Sequence, residues 1–268
     1  MMKYREAAVA GQFYPSTVSD LKHMMDEYFS EEPCCSVIPK ALIVPHAGYF
    51  YSGEVAATAY RLLSNAKPPF SKVVLLGPSH YVALDGCAVP SCDVFVTPMG
   101  EVTIDKQLAE SLINQGLAVE STRAHHWEHS LEVQLPFLQY CLDDFTLLPI
   151  VVGHSQSDLV RRLLASAAQQ PDTLIVVSSD LSHYHPYLEA NDIDANTIEH
   201  VLALNTDIHP EQACGFYGIN GLMQYAEQQH WQIKCVSHTN SGDIIARHEQ
   251  RSPQHINKVV GYASFVLY

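Results

Sequence analysis

The chain has 268 residues, of which 47% are hydrophobic and 16% charged, a composition typical of a globular protein with a sizeable core. Its 15 basic and 29 acidic side chains give a formal net charge of −14 without any basic run, which excludes nucleic acid as an expected partner. No apolar stretch approaches the about 20 residues of a membrane helix, and the N-terminus lacks the apolar segment of a signal peptide. We therefore expect a soluble, cytoplasmic protein with no membrane partner.

Strands and helices are predicted to alternate along the chain, with no repeat, linker or low-complexity segment. The predicted strands are 41–45, 72–76, 93–96, 147–152, 174–177, 234–238 and 259–267. The predicted helices are 19–29, about 53–63, 105–115, 129–140, 158–169, 194–204 and 218–229, with Pro136 kinking the fourth or lying in its first turn. This alternation predicts a single α/β domain over residues 1–268, with a mostly parallel or mixed sheet covered by helices on both faces.

Three predicted buried strands lead into a histidine within a few residues of their carboxyl ends. Strand 41–45 leads into His46, the next buried strand into His80, and strand 174–177 into His183. Ligands of open α/β sheets bind beyond the carboxyl ends of the strands, so the three imidazoles are expected to converge. A single histidine at such a position would more often only donate a hydrogen bond to a backbone carbonyl of the loop. Three in register favour a metal site, since imidazole is the commonest ligand for zinc, copper and iron.

Two further candidates lie close to turns. Asp180 precedes His183 by three residues and is expected to orient it as a general acid/base, or else to stabilise the loop. Cys214 lies shortly before a predicted helix, where the helix N-terminus stabilises a thiolate. A buried, inert thiol is the alternative for Cys214.

The segment around residue 128 and the loop after His46 supply the remaining candidates. Glu128 and His129 open a predicted helix and are expected to act as a substrate contact and a proton relay, or else to cap that helix; no H-E-x-x-H zinc motif is present. The sequence HAGYFYSG, which begins at His46, predicts a loop entering a helix N-terminus that can hold an anionic group, although it is not a P-loop. Tyr49 is expected to line the mouth of the same site or simply to pack.

The cysteines and the other histidines carry less information. Seven cysteines without a C-x-x-C pair, including the adjacent Cys34 and Cys35, predict mostly buried free thiols. Eight histidines in polar stretches are predicted to lie at the surface: His125, His126, His185, His200, His209, His230, His248 and His255.

Seven short motifs, taken together, are specific for one family. They are AVAGQFYP at 8–15, PHAGY at 45–49, GPSH at 77–80, EHSLEVQLPF at 128–137, SSDLSHY at 178–184, ACG at 213–215 and GYA at 261–263. In this order and over nearly the whole chain, the sequence resembles the Memo family, whose microbial members are called AmmeMemoRadiSam system protein B. The family is similar in fold to the class III extradiol dioxygenases, which hold non-haem iron with two histidines and a carboxylate.

The resemblance implies roles for five residues. His46 and His80 would be metal ligands, and Cys214 would replace the carboxylate of the dioxygenases. His183 would be the acid/base, with Asp180 beside it. The implied cofactor is one transition-metal ion, iron or copper, and a Cys-His-His set also suits catalytic zinc.

Two departures from the family pattern leave these ligands in place. Tyr81 stands where animal members carry a second histidine, and Phe216 stands where many members have arginine.

The expected function is a dioxygenase-like, metal-dependent oxidoreductase acting on a small-molecule or peptide substrate. A zinc-dependent hydrolase and a non-catalytic binding or scaffold protein with a vestigial metal site are the alternatives. The family name further implies a functional link to a radical-SAM protein.

Overall fold

The computed structural model describes residues 2–67, 70–250 and 252–268. Its strands are β1 Tyr4–Arg5, β2 Ala41–Val44, β3 Lys72–Pro78, β4 Cys87–Val89, β5 Val94–Thr97, β6 Gly100–Thr103, β7 Val119–Glu120, β8 Thr146–Val152, β9 Thr173–Ser178, β10 His183–His185, β11 Ile233–Asn240 and β12 Val259–Leu267. Its helices are α1 Val18–Tyr28, α2 Tyr49–Tyr60, α3 Lys106–Asn114, α4 Thr122–His126, α5 His129–Glu132, α6 Leu135–Cys141, α7 Ser157–Ala167, α8 Tyr187–Leu202, α9 Phe216–Gln228 and α10 Ser241–Glu249, with short 3-10 turns at Arg61–Asn65 and Pro253–His255.

The main sheet has a parallel centre and antiparallel margins. Its strand order is β10-β12-β2-β9-β3-β8-β4-β7, and β11 pairs with β12. Strands β2, β9, β3 and β8 are parallel, whereas β12 runs antiparallel to β2, β10 and β11, and β4 runs antiparallel to β8. The predicted α/β fold with a mixed sheet is therefore confirmed. The predicted strand 93–96 corresponds to β5, which lies in a separate three-stranded sheet with β1 and β6.

Helices cover both faces of the sheet, and the alternation of side chains along β2 shows how. Leu42 and Val44 pack into one core with α1, α2 and α6, while Ala41 and Ile43 pack into a second core with α3, α7 and α9. A strand buried on both faces must be apolar at every position, which is why the strand runs are continuous in the sequence. Each fully buried side chain of this size contributes about 1.5–3 kcal/mol. Among the described residues, no helix is long and apolar enough to cross a membrane.

Three predicted helix boundaries are wrong, each for a local reason. Helix α2 begins at Tyr49 rather than near residue 53, directly after the N-cap residue Gly48. The predicted helix 129–140 is interrupted between α5 and α6, because Pro136 has no N–H and is tolerated only in the first turn of α6. Helix α8 begins at Tyr187, seven residues before the predicted start, immediately after its N-cap residue Pro186.

Two glycines allow the elements that surround the sheet edge to approach closely. A Cβ at Gly77, on β3, would lie 2.5 Å from Oγ of Ser130, so α5 sits directly on the end of this strand. A Cβ at Gly215 would lie 2.7 Å from Cβ of Ser179, so the turn before α9 sits on the end of β9. Any larger side chain would push α5 or the turn that carries Cys214 away from the sheet edge.

Candidate metal centre

The carboxyl ends of the parallel strands bring three histidines together. His46 follows β2, His80 follows β3, and His129 begins α5, which covers the end of β3. One ring nitrogen from each lies within 4.8 Å of the others, and this is the one such group of three or more metal-binding side chains in the part of the chain that the structure describes. Two of the three, His46 and His80, are predicted ligands, whereas His129 was predicted to be a catalytic group.

The imidazole of His46 is held in one tautomer by buried partners. The hydroxyl of Ser178 donates to the carbonyl of Ser130 at 2.6 Å, so it can only accept from Nδ1 of His46, at 2.9 Å. Gln134 donates to the same hydroxyl at 2.8 Å, and its own carbonyl oxygen accepts from Tyr60. Nδ1 of His46 therefore carries the proton, and Nε2 carries the lone pair that binds metals.

The imidazole of His80 is held in the same way by a carboxylate. Glu128 accepts from the backbone N–H of His80 at 2.7 Å and from its Nδ1 at 2.8 Å. Burial opposes ionisation of Glu128, but its hydrogen bonds with His80 and the charge of that ring outweigh burial and lower the pKa of Glu128 to about 2. Because Nδ1 of His80 donates to this carboxylate, Nε2 is the nitrogen that carries the lone pair when the ring is neutral. Glu128 also caps α5 by accepting from Ser130 N at 2.9 Å, which is the capping role considered for it, while its substrate contact stays a prediction.

His129 adjoins both other rings and makes no hydrogen bond through its Nδ1. Its ring stacks on His80 with centroids 4.6 Å apart, and the ring of Phe13 covers it at 4.7 Å. Its Nδ1 is buried and makes no hydrogen bond, with the nearest carboxylate oxygen, on Glu128, 3.6 Å away. Burial, together with the charges of His46 and His80, lowers the pKa of His129 to about 4. A neutral ring with an orphaned buried nitrogen fits a metal ligand.

Cys214 adjoins this cluster through one of its members. Its Sγ lies 3.3 Å from Nε2 of His46, a distance that one ion bridges with metal–sulfur and metal–nitrogen bonds of about 2.3 and 2.0 Å. Burial, followed by the charge of Asp180, raises the pKa of the thiol in the metal-free protein. Its proton can then donate to Nε2 of His46, and metal binding would displace it.

The two residues of the predicted acid/base pair each form hydrogen bonds with other partners. Asp180 accepts from the backbone N–H groups of His46 and Ala47, at 2.7 and 3.3 Å, whereas Nδ1 of His183 donates to the carbonyl of Leu181 at 2.8 Å. Asp180 therefore orients the loop of His46 rather than the ring of His183. Burial raises the pKa of Asp180 although the N–H of His46 opposes the shift. His183 keeps its Nε2 lone pair free, and the next residue, Tyr184, has a positive φ of 62° at a break in the β10 register.

For two residues near the site, the structure decides one prediction and overturns another. Tyr49, expected to line the mouth or simply to pack, is 3% exposed and donates its hydroxyl to the carbonyl of Val133, so it packs in the core. His125, predicted to lie at the surface, is 2% exposed, and the prediction is wrong. The carbonyl of Ala88 satisfies Nε2 of this ring in the interior, and burial lowers the pKa of His125 to about 3. The free thiols are confirmed, but only Cys87 and Cys92 are buried.

The sequence interpretation missed the residues that support the cluster. Ser178 and Gln134 fix His46, and Glu132 ties α5 to the N-terminal segment through Arg5. The sequence could have revealed them as polar residues among apolar neighbours, as Glu132 is between Leu131 and Val133. The structure buries Glu132, Gln134 and Ser178. A polar side chain that must be buried needs partners, and these partners are far away in the chain.

The geometry defines a class of protein: a mixed α/β sheet with a histidine cluster, able to hold a metal ion, at the carboxyl ends of its parallel strands. The Memo-like protein family model matches residues 5–266, and the chain belongs to this family. A MEMO1 family protein of Aquifex aeolicus is 43% identical over 210 residues, which are 77% of each chain. A MEMO1 family protein of Archaeoglobus fulgidus is 33% identical over 98% of this chain and 99% of its own.

A solved structure agrees with the fold. The crystal structure of the uncharacterized protein JW3007 from Escherichia coli K12 matches with a TM-score of 0.52 over 86% of this chain and 100% of that chain. The two sequences are 12% identical, so the likeness shows a shared fold and nothing about activity.

Proposed function

We propose that the chain is a metal-dependent oxidoreductase that uses a single iron or copper ion held by His46 and His80. The observation that carries the proposal is the pair of buried acceptors, Ser178 and Glu128, that hold a proton on Nδ1 of each ring. In the neutral rings, each Nε2 then carries the lone pair that binds metals. Such outer partners are typical of histidine metal ligands. The bound ion would supply Lewis acidity and one-electron redox chemistry.

Cys214 and His129 complete the donor set in this proposal. Cys214 contacts His46 from one side, and His129 stacks on His80 from the other. The two groups differ in how readily they can bind a metal ion. The thiol of Cys214 must first lose its proton, and burial raises its pKa. The ring of His129 is already neutral, because burial lowers its pKa to about 4.

His183 is the proposed acid/base of the reaction. Its Nδ1–H is anchored on the carbonyl of Leu181, which leaves Nε2 to accept and return a proton. Tyr184, which follows His183, is exposed and has a backbone φ in the left-handed region. Asp180 contributes by fixing the loop of His46, and Glu128 by fixing His80, so neither needs to touch the substrate.

A zinc hydrolase is the second candidate, favoured by one observation. Three histidines with an open position are the ligand set of several catalytic zinc sites. In that case, the ion would activate water and His183 would still move the proton.

Metal analysis of protein purified without oxygen separates the two functions. We expect one iron or copper ion per chain, and stoichiometric zinc would instead favour the hydrolase. Cys214→Ser should sharply lower the metal occupancy of the site while the fold is kept, and unchanged metal occupancy would remove Cys214 from the site.

His183→Ala should keep the metal and abolish turnover. Loss of the metal in this variant would instead make His183 a ligand.

A further inference from the structure

Two adjacent cysteines form a second cluster of sulfur ligands, far from the histidines. Cys34 and Cys35 lie in the loop between α1 and β2, with their Sγ atoms 4.0 Å apart and both thiols free. This loop precedes the amino end of β2, whereas His46 follows its carboxyl end. The two thiols and the histidine cluster are therefore at opposite edges of the sheet, and we call the two thiols the surface dithiol.

The surrounding chain holds the surface dithiol in place and keeps it accessible. Asn65 donates to the carbonyl of Cys35 at 3.0 Å and to that of Val37 at 2.9 Å, which fixes the loop against the end of the 3-10 turn after α2. The side chain of Cys35 packs against the core and is half-buried, while Cys34 is exposed. One sulfur is thus anchored and the other faces solvent.

We propose that the surface dithiol is a separate binding site for a soft, thiophilic cation, with the cuprous ion as its representative. Thiolates are the ligands that select such ions in proteins. Metal–sulfur bonds of about 2.3 Å to two sulfurs 4.0 Å apart subtend about 120° at the ion, the angle of a trigonal site. No third histidine, cysteine or carboxylate completes the set among the described residues, so the third position is left for a ligand from outside the chain.

The protonation of the dithiol favours metal capture over oxidation. Burial and the neighbouring Cys35 raise the pKa of Cys34, against a smaller opposing effect of Lys234. A protonated thiol attacks oxidants slowly, whereas a soft cation displaces the protons on binding. In the binding step, two S–H bonds break, two protons pass to solvent and two metal–sulfur bonds form, without electron transfer.

Anaerobic titration of the full chain with cuprous ion, against a chromophoric cuprous chelator, tests the proposal. Cys34→Ser and Cys35→Ser should each lose one tightly bound equivalent, since chelation needs both sulfurs. The control Cys235→Ser, which removes another half-buried free thiol, should lose none. Circular dichroism checks that each variant is folded.

A variant of the histidine cluster separates this site from the proposed metal centre. The double variant His46→Ala and His80→Ala should retain the equivalent that the dithiol variants lose. Loss of that equivalent in the histidine variant, with retention in Cys34→Ser, would assign the ion to the histidines and overturn the proposal. An equal loss in Cys235→Ser would also overturn it, because any free thiol would then suffice.

Discussion

Two buried polar clusters each include one residue of helix α5, and they differ in how completely their members are paired. In the scaffold cluster, the carboxylate of Glu132 accepts four hydrogen bonds, from Arg5, Tyr14 and the backbone N–H groups of Ala8 and Val9, all at 2.7–2.9 Å. In the metal cluster of His46, His80 and His129, by contrast, His129 retains a buried nitrogen without any partner.

The difference supports the proposed function, in which one cluster stabilises the fold and the other binds a metal ion. A fully paired buried carboxylate stabilises the fold, whereas an unpaired buried polar group costs about 1–3 kcal/mol and persists where a ligand can satisfy it. The two clusters are linked, because α5 carries both His129 and Glu132 and Arg5 also bonds the carbonyl of Glu128. The scaffold cluster thus holds Glu128 in position, and Glu128 in turn fixes the ring of His80.

The largest expected effect is on stability, from Glu132→Ala. This change leaves the buried guanidinium of Arg5 without its carboxylate partner, so we expect the free energy of unfolding to fall by about 3–5 kcal/mol in denaturant titration. Asp158→Ala is the matched control, since it breaks ion pairs with Arg161 and Arg162 that are exposed to solvent, and it should change stability little. Equal effects of the two changes would remove the distinction between a scaffold and a surface pair.

The next effect is on metal affinity, from His46→Ala. Loss of a direct ligand should weaken binding at least about 100-fold, more than loss of an outer partner, while the unfolding midpoint of the metal-free protein changes little. His126→Ala, at an exposed position near the site in sequence, is the control and should bind as the unaltered protein does. Isothermal titration with the native metal measures both, and normal affinity in His46→Ala would contradict the assigned ligand.

The pH dependence of the metal-free protein provides a further comparison. His129 has a pKa of about 4 in the folded chain, against 6.5 when unfolded, so between these values the unfolded chain gains a proton that the folded chain does not. Stability should therefore fall from pH 6.5 towards pH 4, by up to about 3 kcal/mol from this residue. In His129→Gln, thermal melts should show a shallower fall, and parallel curves would mean that His129 does not titrate as described.

The smallest effect is expected from Ser178→Ala, which removes the acceptor of the His46 Nδ1 proton. The ring can then turn or change tautomer, so metal affinity should fall about 10-fold while the bound stoichiometry is unchanged. Ser155→Ala, at a half-buried loop position away from the histidine cluster, should leave the affinity unaltered. A loss as large as that of His46→Ala would indicate a collapsed site rather than a misplaced ring.

The sequence predicts the parts of this molecule that follow from local order along the chain. Continuous apolar strands give the sheet, and their carboxyl ends place His46 and His80 at one edge, because parallel strands end together. The stacking of His129 on His80 could not be predicted, since it depends on how α5 packs over the end of β3. The bond between His46 and Ser178 joins residues 132 positions apart, and no local pattern encodes such a pair.

Anomalous diffraction from crystals of anaerobically purified protein, at the absorption edge of the metal found, tests the central claim most directly. We expect one peak at the metal cluster of each chain, within about 2.0–2.2 Å of a ring nitrogen of His46 and of His80. Absence of a peak at this cluster, or an undiminished peak there in the double variant His46→Ala and His80→Ala, would refute the assignment.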